Sequence, residues 1–210
     1  MASNIPNLQE LKAYKVRQTN NVEGIGWSLY DFQAYAQAGQ TSLSFFQVPV
    51  GQSSKTLDDT NMTLAGNLPS GQAFLIESIE IFLFPNFNIG QDTALDLAPE
   101  FSNDVYDFSR KGNVSLTIGS KQYIQEAPIG RFPPKTRLNG YSALASTDVA
   151  QSKQVDYAMM SGRPYLLRSP CLLESSQNFN LTISWAAAVA LSAAARVGVV
   201  MEGVLYRDVQ

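Results

Sequence analysis

The sequence predicts an all-β protein, an antiparallel β-sandwich of jelly-roll type with short N-terminal helices. Three observations carry this. Apolar residues alternate with polar ones at period two in several short stretches, the signature of half-buried strands. Turn formers such as Leu68-Pro69-Ser70-Gly71, Pro85-Asn86, Asn88-Ile89-Gly90 and Pro133-Pro134 separate those stretches. Helix signals are few and confined to the first 40 residues. At 210 residues the chain suits one domain with a real core, divided into an N-terminal arm with short helices (1–40) and a sandwich (41–210).

Taken in order, Asn7 with Glu10 offers a helix start before Leu8–Arg17, and Met1–Asn21 has the mixed composition of an arm. Ser28 with Asp31 reads as a capping pair for a short helix that Gly39 would stop, with Leu29, Phe32 and Ala36 on one face. Ser42–Val48 reads as a strand and Thr56–Leu64 as a weak one. Ala73–Phe84 is the strongest apolar run, apolar on both faces. A sandwich strand normally keeps one face polar, so either this one is covered within the chain or one face is buried against another chain.

Asn113–Ile118 alternates cleanly, and Gly119-Ser120 turns it into Lys121–Ile124, a hairpin signal. Val155, Tyr157 and Met159 alternate with polar neighbours, and Tyr165–Arg168 is a further strand between two prolines. Phe179, Leu181, Ile183 and Trp185 share one face. After the alanine-rich Ala186–Ala195, so do Val197, Val199, Met201 and Leu205. These two stretches read as a long C-terminal hairpin. Leu181–Met201 is long and apolar enough to prompt a membrane check, but the alternation, the alanines and Arg196 favour strands over a transmembrane helix. No repeat at a solenoid or propeller period is present. A closed barrel or an immunoglobulin-like sandwich fits the strand count as well, although the Cys…Trp…Cys spacing of the latter is missing.

Composition removes several functions. With no histidine and one cysteine, Cys171, the chain cannot by itself form a Ser-His-Asp triad, a Cys-His pair, an imidazole metal site or an internal disulfide. Cys171 reads as a buried, inert thiol. A net charge of −3 argues against general nucleic-acid binding. Met1–Arg17 lacks the basic start and apolar core of a signal peptide. The acids Asp92, Asp96, Glu100, Asp104 and Asp107 lack the ligand spacing of a calcium loop, and Pro99 interrupts any helix that would align them, so the segment reads as a solvated loop. Gly130–Arg137 sets three positive charges around a stiff Pro-Pro pair, suited to a surface loop or a protein contact rather than a phosphate cradle. Gly24-Ile25-Gly26 is too short for a dinucleotide fingerprint. The acceptor patterns at Asn61, Asn113 and Asn180 read as ordinary strand positions. The expectation is a protein that is not an enzyme, with no cofactor and no metal.

Four stretches, Ala38–Phe46, Thr56–Met62, Ala127–Pro134 and Arg196–Arg207, resemble bacteriophage-encoded virion structural proteins of jelly-roll type, and the likeness spans roughly residues 38–210. The resemblance implies a capsid subunit of an icosahedral particle, located in the virion after synthesis in the host cytoplasm. Its partners would be copies of itself and other virion proteins; contact with the genome or an internal membrane stays open. The residues expected at subunit contacts are Phe82, Phe84 and Phe87 with Arg131, Lys135 and Arg137. The alternative is a spike, vertex or decoration protein that binds a host receptor or carbohydrate through exposed aromatics.

Overall fold

A computed structural model describes residues 22–85, 97–144, 154–175 and 177–208. Among these residues ten strands and one α-helix run in the order β1 (Val22–Tyr35), β2 (Ser42–Phe45), β3 (Gln72–Pro85), α1 (Leu97–Arg110), β4 (Asn113–Ile118), β5 (Lys121–Glu126), β6 (Thr136–Leu144), β7 (Gln154–Ser161), β8 (Tyr165–Glu174), β9 (Phe179–Ser184) and β10 (Ala195–Asp208). A single 3₁₀ turn, Ile129–Arg131, follows β5. One sheet has the order β1-β10-β3-β8 and the other β2-β9-β4-β5; β6 and β7 form a separate ribbon. Every pairing is antiparallel.

The pairings nest. β1 lies on β10, β2 on β9, β3 on β8 and β4 on β5. This is a long antiparallel ribbon rolled into two facing sheets, the jelly-roll arrangement of two Greek keys. The β6–β7 ribbon is an insertion between β5 and β8, closed at its base by a hydrogen bond from Gly162 N to Lys135 O.

The alternation read from sequence supplies the core. Val114, Leu116 and Ile118 of β4 and Phe179, Leu181 and Ile183 of β9 point inward, and Phe74, Ile76, Ile79 and Ile81 of β3 with Val197, Val199 and Met201 of β10 meet them. Each such side chain, fully buried, stabilises by about 1.5–3 kcal/mol. In β3 the inward set passes from even to odd numbers because Glu77 is an extra residue: Glu202 pairs with Ser78 while Gly203 pairs with Ile76. This bulge brings the β3 backbone close to β10. A Cβ on Gly203 would lie 1.8 Å from Leu75 O, so only glycine fits there.

Several expectations are corrected. Ser28–Gly39 is not a helix: Leu29, Asp31 and Tyr35 are buried while Tyr30 and Phe32 face outward, and β1 pairs along its whole length with β10. Two-residue periodicity with a tertiary partner overrides the local capping signal. The sandwich thus takes in Val22–Tyr35, upstream of the 40/41 boundary suggested by the sequence. The expected C-terminal hairpin is not formed, because β9 pairs with β2 and β4 in one sheet and β10 with β1 and β3 in the other. The alanine-rich stretch crosses between the sheets. Tyr35 Oη anchors it by donating to Val189 O at 2.7 Å.

The acidic segment contains α1, since Pro99 falls in the first turn, where no intrahelical N–H is lost. Asp104 is buried and accepts hydrogen bonds from Ser192 N and Oγ. Phe108 packs against Tyr35 and Trp185, with ring centroids 5.8 and 5.6 Å away. Thr56–Leu64 is not a regular strand. It lies along the free edge of β1, where Phe32 N donates to Asp59 O and Tyr30 N to Asn61 Oδ1. The edge is thereby blunted against pairing with another chain. The Leu8–Arg17 helix lies outside the described residues.

Candidate interaction surface

The outer face of the β1-β10-β3-β8 sheet carries an unusual set of side chains. Its rows follow from register. Tyr30, Val200 and Glu80 form one row; Phe32, Gly198 and Phe82 the next; Ala34, Arg196 and Phe84 the last. The rings of Phe32, Phe82 and Phe84 lie 5.6–6.3 Å apart. Gly198 makes this cluster possible, since a Cβ there would sit 2.0 Å from the Phe32 ring. The aromatics cover the glycine strand from both sides. Arg196 stacks its guanidinium 4.6 Å from the Phe32 ring centroid and is held by Asp59 at 2.7 Å. Phe82 is half-buried and Phe84 is 49% exposed.

Further along the same face the surface is charged and closed over. Ser78 and Glu80 are buried, and Ala73, Leu75, Val204 and Tyr206 form a second apolar cluster. The two-sided apolar character of Ala73–Phe84 thus has two outcomes. Residues 73–80 are buried apart from Glu77, and the Phe84 end is open. The Glu80 carboxylate accepts a 2.6 Å hydrogen bond from Lys135 N, and the Lys135 ammonium pairs with Glu202. Burial pushes the Glu80 carboxyl above its ordinary value; the Lys135 N–H opposes this and the Glu202 charge adds to it.

The structure brings part of the expected contact set together. Phe82, Phe84 and Lys135 belong to this outer face. Where β8 stops pairing with β3, the Gly130–Arg137 segment takes over: Ile81 N donates to Phe132 O at 3.0 Å. Phe132 itself is buried against Tyr165, 4.6 Å between centroids. Arg131 turns away from the aromatic cluster to Glu126, 3.1 Å, and lies over the Tyr165 ring. That pair is half-exposed and contributes at most about 1 kcal/mol. Phe87 and the Arg137 side chain lie outside the described residues.

Sequence reasoning missed Phe32, Arg196 and Glu202 as members of this face. The signal for the first two was present in Gly198, a glycine inside a β-branched strand, which marks a close approach. Cys171 is buried, and burial pushes its thiol up. Among the described residues no group of three or more acids or thiols could hold a metal ion, and no helix is long and apolar enough to cross a membrane. No protein-family model matches this chain, and no curated protein sequence is significantly similar to it.

Proposed function

We propose that this chain is a virion structural protein, a jelly-roll capsid subunit of a bacteriophage particle that assembles through repeated copies of the same interfaces. The observation that carries the reading is a rolled sandwich whose outer sheet face ends in a partly exposed aromatic cluster at Phe32, Phe82 and Phe84. Jelly rolls serve capsids and lectins alike, so the fold alone does not decide. The four stretches that resemble phage virion proteins favour the former. Subunit contacts in obligate assemblies are large and apolar at their centre, which suits the open Phe84 end. Closed point-group symmetry lets one such patch serve every subunit. In this reading Lys135 supplies a charge on the same face as the aromatic patch, no catalytic role is assigned, and the protein resides in the virion.

The test is the number of copies of this chain in purified particles from its source, measured by quantitative protein analysis. Hundreds of copies per particle support a shell subunit. Tens of copies move the chain to a vertex, spike or decoration role. Its absence from particles overturns the reading. Phe84→Ser in the particle-producing system is expected to lower particle yield while the isolated protein stays folded, because the side chain is half-exposed.

A further inference from the structure

An open cleft of about 710 Å³ lies beside the β3 bulge, between the β1 edge and the 57–61 segment. Its lining includes Gly26 and Gly203, which carry no side chains, and the half-exposed Trp27, paired in register with Gly203. Leu57 and Asn61 line it from the 57–61 segment. That segment is fixed: Tyr30 Oη donates to Leu57 O at 2.5 Å and Asn61 Nδ2 to Ser28 O at 2.7 Å. Two carboxylates, Glu77 and Glu202, complete the lining. The cleft exists because of the bulge, which inserts Glu77 into β3 and requires glycine at 203.

We infer that this cleft is a carbohydrate-binding site, with Trp27 as the stacking platform and Glu77 and Glu202 as acceptors for sugar hydroxyls. An indole ring presents a flat apolar surface that packs against the C–H face of a pyranose, and a neighbouring carboxylate accepts from its hydroxyls. A shallow, pre-formed cleft with few polar groups suits a ligand that is itself half apolar and half hydroxyl. The two carboxylates serve a hydroxyl-rich ligand as hydrogen-bond acceptors, and a cationic ligand is the competing outcome that the test separates. Glu202 is already neutralised by Lys135. Among the described residues no ion pair is formed by Glu77, and burial pushes its carboxyl above the ordinary value. The inference stands apart from the shell reading, since a shell subunit and a spike could each carry such a site.

The experiment uses the full chain on a glycan array, with each hit titrated in solution by isothermal titration calorimetry, a readout that does not depend on Trp27 itself. Trp27→Ala should weaken binding about tenfold, and Glu77→Gln should weaken it less. Gly26→Leu should abolish it without lowering the melting temperature, because a side chain there meets nothing within 4 Å. If Trp27→Ala does not fold, Gly26→Leu decides alone. The inference is overturned if no saccharide binds, or if a bound saccharide is indifferent to Gly26→Leu. It is also overturned if only a cationic probe, N-acetyl-lysine methylamide, binds in a manner sensitive to these variants.

Discussion

The two sheets share one core but present opposite outer faces. On the β2-β9-β4-β5 sheet the rows are Ser42, Ser184 and Asn113; then Ser44, Thr182, Ser115 and Gln125; then Asn180, Thr117 and Gln122. These side chains are mostly short, and none of them is charged. On the β1-β10-β3-β8 sheet the equivalent positions hold phenylalanines, a buried glutamate and an arginine. The inward residues are interchangeable in kind, whereas the outward ones are not. The first pattern is what a solvated sheet requires and no more. The second keeps a bulge, two close-approach glycines and a desolvated carboxylate, each of which costs stability. That asymmetry sets the two outer faces apart in chemistry as well as in packing.

Substitutions can break or sharpen this contrast. The largest effect is expected for Gly203→Val, whose side chain would be forced into the Leu75 carbonyl. A loss above about 4 kcal/mol, read as failure to obtain folded protein, is the expected outcome. A folded, stable variant would mean that the bulge is pliable. Next is Asp31→Ala. This carboxylate lies fully buried at the junction of the sheets, accepting from Phe46 N at 2.7 Å and from Lys55. Removing it leaves a buried N–H and a lysine without partners and should cost about 3 kcal/mol in chemical denaturation. A third pair compares the faces directly. Phe82→Ala should cost about 1–2 kcal/mol, while Thr182→Ala on the other sheet should stay within about 0.5 kcal/mol. Equal costs would abolish the distinction.

The smallest effect concerns pH. Glu80 and Glu77 are both raised above their ordinary value of 4.5 by burial. Protonation therefore favours the folded state. Their contribution is fully present below pH 4.5 and is lost as pH rises through the elevated values. The melting temperature of Glu80→Gln should accordingly vary less than that of the parent between pH 7 and the mid-acid range. An unchanged profile would show that Glu80 is better solvated than its position implies.

The strands with clean alternation, Asn113–Ile118, Phe179–Ser184 and Val197–Met201, were legible because period two needs no knowledge of the partner. β1 was not, because Asp31 puts a carboxylate at an inward position and breaks the alternation, while Ser28, Leu29 and Phe32 happen to fit a helix start. The pairing of β9 and β10 was not legible either. A loop of suitable length says nothing about whether two strands close on each other or cross between sheets. Of the contact residues, Phe82 and Phe84 followed from the two-sided strand. Phe32 and Arg196 join them only through the register of three strands from distant parts of the chain.

The position of β10 has a consequence for how the molecule is made. It is the last described strand in the chain, yet it lies in the middle of its sheet, between β1 and β3, and pairs with β1 from Val22↔Asp208 to Tyr35↔Ala195. On the ribosome, β1 and β3 must wait with exposed ladder groups until residues 195–208 have left the exit tunnel. Contacts this distant in sequence slow folding to milliseconds or seconds, and unpaired strands are prone to association meanwhile. The 57–61 segment, synthesised early and bonded to the outer edge of β1, guards one side of that strand. The other side closes only when β10 arrives.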